Sequence, residues 1–166
     1  GERLLRDQGY VSDEPWAGFY QQYSINTPFV KQFPNPAYVK NVTIELHWGL
    51  MHVPYLNSQI NFKGVFQRAV PLEISGESVF SLAPEDHLVY TCAHLLHHHR
   101  QFILARWYEF ALWLRKYNEV IDWQAVFERA HEWRLSAGIK YTFSVIEQLW
   151  PGIIPSERLD QASNLK

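Results

Sequence analysis

Residues Val42, Thr43, Ile44, Glu45, Leu46, His47 and Trp48 alternate apolar and polar side chains and end on an aromatic. A period of two puts Thr43, Glu45 and His47 on one face of a strand and Val42, Ile44, Leu46 and Trp48 on the other, with the apolar face expected to pack on the core. The pattern predicts a strand over residues 41–48. Residues 19–25 and 29–33 alternate more loosely and predict two further strands, and Tyr10 and Val11 the start of a short one. Pro34-Asn35-Pro36 forces a turn. The connections are too short for crossover helices, so antiparallel pairing is expected. Residues 54–66 read as helical turns broken at Gly64. Residues 70–74 and 79–82 bracket Ser75-Gly76-Glu77-Ser78, a hairpin signature. Ahead of all these, residues 2–8 read as the last turns of a helix stopped by Gly9. The chain is therefore expected to begin inside a structural element, as a piece of something longer does.

From Pro84 the apolar spacing changes to that of helices, and four are predicted up to Trp150. Pro84 suits a first helical position, and Glu85 and Asp86 favour the first turn through the helix dipole. This helix is expected to reach about His99, with Leu88, Cys92, Leu95 and Leu96 as its buried stripe. The second, from Ile103 to Tyr117, is apolar almost all round and is expected at the centre of the bundle. Asp122 is the expected cap of a third helix reaching Arg134, with Trp123, Val126, Phe127, Ala130 and Trp133 inward and Glu128, Arg129 and Glu132 outward. Ser136 is the expected cap of the fourth, with Ile139, Phe143, Ile146 and Trp150 inward and Pro151-Gly152 as its stop. One short helix is expected after Pro155. The predicted fold class is α+β, strands first and then a bundle of about four helices, divided into residues 1–82 and 83–166.

Composition narrows the function. The chain has 166 residues, 47% of them hydrophobic, with seven Trp, nine Tyr and ten Phe. That excludes disorder and implies a dense aromatic core. A formal charge of -2 and the lack of a basic run give no phosphate-tracking nucleic-acid surface. The lone Cys92 has no partner for an internal disulfide and reads as a small core residue. The charged start does not resemble a signal peptide. No apolar run approaches the roughly 20 residues a membrane helix needs. A reducing, cytoplasmic setting is expected from these features together.

Three constellations carry candidate chemistry. His87, Thr91, His94 and His98 step by four, three and four, so they share one narrow helix face. His94 and His98 have the spacing of two imidazole ligands to one metal ion. Leu95 follows His94 where a zincin helix needs Glu, which excludes that protease class. The plainer reading is an exposed helix face or a satisfied interdomain contact, and His97 and His99 point elsewhere. Arg106 and Glu109 stand three residues apart in a greasy helix, where an unpaired charge is costly. They pair with each other, or Glu109 orients a histidine from the preceding helix, or Arg106 binds a phosphate. Glu45 with His47 forms the third set: a carboxylate suited to Mg²⁺, or the wet face of an ordinary sheet. No Asp-x-Asp, Gly-rich phosphate loop or Gly-x-Ser-x-Gly occurs anywhere in the chain.

Several stretches, taken in order, resemble a bacterial family of uncharacterised nucleotidyltransferases in the polymerase-β-like superfamily. They are Leu4-Leu5-Arg6-Asp7-Gln8-Gly9-Tyr10, Ile44-Glu45-Leu46-His47-Trp48-Gly49-Leu50, and Leu82-Ala83-Pro84-Glu85-Asp86-His87-Leu88 with Cys92-Ala93-His94 through His98. Arg106-Trp107-Tyr108-Glu109-Phe110-Ala111, where Asp is more usual than Glu109, and Ile121-Asp122-Trp123 complete the set. The resemblance implies that residues 1–82 are part of a nucleotidyltransferase α/β portion with a partial mixed or antiparallel sheet, and residues 83–166 a helical bundle domain.

Such enzymes hold Mg²⁺ on a Gly-Ser turn, an Asp-x-Asp strand and a third carboxylate, and transfer a nucleotidyl group from an NTP to an acceptor hydroxyl as pyrophosphate leaves. Carried over, Glu45 is the third carboxylate and metal ligand, and His47 meets phosphate or substrate from the same face. His94, His98, Arg106 and Glu109 are the implied substrate-binding residues. The Gly-Ser turn and Asp-x-Asp strand are expected just before Glu2. Two of three metal carboxylates are thus absent, and the chain alone is expected not to transfer nucleotides. The acceptor is open: a small molecule, a sugar, a peptide or a protein. A sheet lacking strands has an unpaired edge, which favours homo-oligomers. Two other classes compete: a non-catalytic binding or scaffold module with the same fold, and a metal protein built on His94 and His98.

Overall fold

Both strand pairs are built from sequence neighbours. The computed structural model describes residues 1–12, 25–33, 40–97 and 103–165. Along them run α1 (Glu2–Asp7), β1 (Asn26–Gln32), β2 (Asn41–His47), α2 (Pro54–Ser58), α3 (Phe62–Arg68), β3 (Val70–Ile74) and β4 (Glu77–Ser81). Then come α4 (Pro84–His97), α5 (Leu104–Tyr117), α6 (Trp123–Glu132), α7 (Ser136–Leu149) and α8 (Ser156–Ser163). The fold class is α+β, as expected. Its strands form two separate two-stranded antiparallel sheets among the described residues, β1 with β2 and β3 with β4. The strand expected over residues 19–25 falls outside the described residues except for Ile25, and so does the turn at residues 34–36. The residues cluster into two compact units, Gly1–Pro54 and Tyr55–Lys166.

In the first unit, α1 ends as its sequence requires. Gly9 takes φ +81°, its amide donates to Arg6 carbonyl at 2.9 Å and the Tyr10 amide donates to Leu5 carbonyl at 3.0 Å. This double closure needs a left-handed residue, which glycine supplies without a Cβ penalty. Lys31 of β1 donates to the carbonyl of Gln8 at 2.8 Å, placing a cation at the negative end of the helix. Val11 forms an isolated bridge to Val30. In the β1–β2 ladder Phe29 lies opposite Ile44 and Pro28 opposite Glu45. Phe29 is fully buried, but Ile44 and Trp48 remain 37% and 41% exposed. The apolar face of β2 is therefore only partly covered, contrary to expectation, because its neighbour β1 offers one large buried side chain.

In the second unit, Gly64 does not break a helix. It lies inside α3, where the Asn61 side chain caps the Gly64 amide at 3.1 Å. Ser75 and Gly76 form the β3–β4 turn with φ of +53° and +83°. Two positive φ values in a two-residue loop match the right-handed twist of the flanking strands.

The helical core centres on α4, not on the helix after it. Leu88, Val89, Cys92 and Ala93 are buried, and α4 packs against α5, α6 and α7. By contrast α5 buries Trp107, Phe110, Ala111 and Leu114 on one face and exposes Leu104, Tyr108 and Leu112. Its apolar girth marks one broad buried face plus exposed large apolar side chains, which protein surfaces commonly carry.

Asp122 caps α6 as expected, accepting from the amides of Gln124 at 3.0 Å and Ala125 at 3.2 Å. Ser136 is not a cap: it is the first residue of α7 and is buried, behind Leu135. Arg129 does not face out: its Nε donates to the buried Asp86 carboxylate at 2.9 Å. No described helix is long and apolar enough to cross a membrane.

Candidate functional site

The alternation along β2 turns Glu45 and His47 to the same side of the β1–β2 ladder. His47 Nε2 lies 3.1 Å from Glu45 Oε2, and the Asn26 side-chain amide donates to that same oxygen at 3.1 Å. Asn26 sits opposite His47 in the register, two residues from Pro28, which lies opposite Glu45. The Glu45 side chain is 50% exposed. A carboxylate held by an amide and an imidazole while still open to solvent is held in a fixed orientation. Asn26 had no signal in the sequence of β2 itself, because its role depends on strand register.

A second group gathers between α4 and α5. His87, Thr91 and His94, spaced by one helical turn, face Arg106 and Glu109 across a cavity of about 240 Å³. Of the readings open for this histidine face, an exposed surface does not hold: the face is half-buried against a neighbouring helix of the same unit. Phe110 and Trp113 contribute the apolar wall. His87 meets the Trp113 ring edge-on at 4.9 Å between centroids. Burial lowers its pKa, because the interior solvates the imidazolium poorly. Tyr90 Oη lies 3.5 Å from His94 Nδ1. Arg106 Nη1 stands 3.5 Å from Glu109 Oε2, and both side chains are mostly exposed, so the ion pair is not embedded in apolar surroundings as its helix suggested. His98 lies outside the described residues.

Glu45 and His47 are therefore brought together in the first unit, and His94, Arg106 and Glu109 in the second. Among the described residues, no group of three or more His, Cys, Asp or Glu side chains is placed to hold a metal ion.

A third cluster escaped the sequence reading. Asp86 is fully buried at the start of α4, between two guanidinium groups. Arg68 Nη2 donates to Asp86 Oδ2 at 2.9 Å, and Arg129 Nε to Asp86 Oδ1 at 2.9 Å. Arg129 Nη1 also reaches Glu132 at 2.7 Å. Burial pulls the Arg129 pKa down, but the hydrogen bond to Glu132 and the charges of Asp86 and Glu132 outweigh it and hold it above its ordinary value. This cluster ties α3, α4 and α6 together. Read along the helices, Asp86 passed for a dipole complement and Arg129 for an outward charge; only their partners, 18 and 43 residues distant from Asp86, reveal the clamp.

The model of a family described as an uncharacterised nucleotidyltransferase matches residues 2–151. Neither the curated proteins nor the solved structures gave a match.

Proposed function

The chain belongs to the uncharacterised nucleotidyltransferase family, and from that premise we propose that it serves the transfer of a nucleotidyl group from an NTP to an acceptor with Mg²⁺. The observation that carries the reading is the family match over residues 2–151, which includes β2 and the α4–α5 cavity.

Glu45 fits one ligand position for a hard divalent cation: it is a carboxylate, open to solvent, and steadied by Asn26 and His47. The described residues do not complete such a sphere: no group of three or more His, Cys, Asp or Glu side chains gathers among them. When bound, Mg²⁺ neutralises phosphate charge and aligns the transferred group. The chain's own share is to present Glu45 and to offer the His47 ring to a phosphate oxygen from the same strand face. His94, Arg106 and Glu109, with His98, are the residues assigned to substrate. The acceptor remains a small molecule, a sugar, a peptide or a protein. Because the sequence contains no Asp-x-Asp, the 166-residue chain alone is proposed to bind nucleotide without turning it over.

The test measures binding of each labelled NTP to this chain with and without Mg²⁺, in the parent and in Glu45→Gln, alongside pyrophosphate release. Mg²⁺-dependent binding that weakens about tenfold in Glu45→Gln, the scale of one charge-assisted contact, supports the reading. Binding indifferent to both the cation and the substitution overturns the role of Glu45, and robust pyrophosphate release by this chain overturns its assigned inactivity.

A further inference from the structure

The cavity between α4 and α5 combines three properties that together define a ligand class. Its volume, about 240 Å³, falls below the roughly 300–1,000 Å³ of sites for drug-sized ligands. It therefore suits one ring rather than a whole nucleotide. Its wall carries aromatic carbon from Trp113 and Phe110, while Thr91, His94, Arg106 and Glu109 supply a hydroxyl, an imidazole, a guanidinium and a carboxylate. Such a lining offers both donors and acceptors beside an apolar face. Among the described lining residues the permanent charges also cancel, because the Arg106 guanidinium stands 3.5 Å from the Glu109 carboxylate. Burial keeps His87 from adding a positive charge near neutral pH. A phosphate dianion would meet the Glu109 carboxylate, and the Arg106 guanidinium beside it is already paired with that carboxylate.

We propose that this cavity binds a neutral, polyhydroxylated single ring the size of a monosaccharide. The C–H face of the ring lies against Trp113, its hydroxyls donate to Glu109 and accept from Arg106, and Thr91 closes the set. Recognition rests on the bidentate reach of the guanidinium and carboxylate toward neighbouring hydroxyls, a pairing that a nonpolar ring of the same size does not satisfy. As a binding site the cavity stands on its own geometry; that its ligand is the acceptor of nucleotidyl transfer rests on the reading above.

The experiment titrates the chain with D-glucose, D-galactose, D-mannose, N-acetyl-D-glucosamine and myo-inositol, and separately with inorganic phosphate and ATP. Saturation-transfer NMR reports ligand protons, and tryptophan fluorescence is compared with that of Trp113→Phe. At least one ring compound is expected to bind saturably with a Kd of about 1 mM or tighter. Its affinity is expected to fall about tenfold in Glu109→Gln, as for loss of a charged hydrogen-bond acceptor, and to fall also in Thr91→Val, with both variants checked for folding by circular dichroism. Absence of binding by every ring compound overturns the proposal. So does binding unchanged in both variants, or displacement of the tryptophan signal by phosphate alone. None of these outcomes bears on the Mg²⁺ dependence of NTP binding in Glu45→Gln, so failure of this inference and failure of the transferase reading are told apart.

Discussion

Asp86 and Arg129, 43 residues apart in sequence, meet through a 2.9 Å hydrogen bond from Nε to Oδ1 inside the second unit. The carboxylate is 0% exposed, and Arg68 holds its other oxygen. A buried charge is tolerated only when its partners are in place. The placement of α4, which supplies one wall of the α4–α5 cavity, therefore depends on this cluster.

Removing one member leaves charge uncompensated. Asp86→Ala is expected to destabilise the chain by about 3–5 kcal/mol, the range for breaking a buried pair. Urea denaturation followed by circular dichroism measures it. A loss below about 1 kcal/mol, the scale of exposed ion pairs, contradicts the buried-clamp assignment.

Gly64 provides a second route to the same cluster. A Cβ built there would stand 2.9 Å from Arg68 Nη1, in the space through which the guanidinium reaches Asp86. Replacing an interior helical glycine by alanine ordinarily stabilises by roughly 0.5–1 kcal/mol. Gly64→Ala is expected instead to destabilise, and to recover its ordinary stabilising sign in an Arg68→Ala background. A double-mutant cycle reads the coupling directly; additive effects would show that the glycine serves some other purpose.

His87 gives the pH dependence a sign. Its folded pKa lies below the ordinary 6.5 because burial disfavours the imidazolium. The unfolded chain then binds more protons than the folded one between the two values, so stability falls as the pH drops through 6.5 toward the folded pKa. His87→Gln is expected to flatten that part of the stability profile. Thermal midpoints collected from neutral to mildly acidic pH provide the check, and an unchanged slope in the variant would rule out His87 as its source.

Cys92 is fully buried on α4, and desolvation pushes its thiol pKa up. A thiol that resists ionisation and lies out of reach reacts slowly. Modification by a maleimide is expected only on unfolding, with a rate that follows denaturant. Rapid stoichiometric labelling of the native chain would place Cys92 elsewhere than in the core.

The amino-acid pattern determined what depends on neighbours along the chain. The Gly9 stop, the Ser75-Gly76 turn, the Asp122 cap and the two faces of β2 follow from local geometry that a few adjacent residues dictate. The helical step likewise put His87, Thr91 and His94 on one face, and the order of short motifs led to the family. Tertiary structure decided what depends on distant partners. It made α4 the core helix in place of α5, because burial reflects which helices surround an element and not its apolar count. It turned Arg129 inward to Asp86, set the histidine face on a cavity against α5, and gave Glu45 the amide of Asn26. Each of these is a pairing between residues far apart in sequence, and periodicity along one element carries no information about its partner.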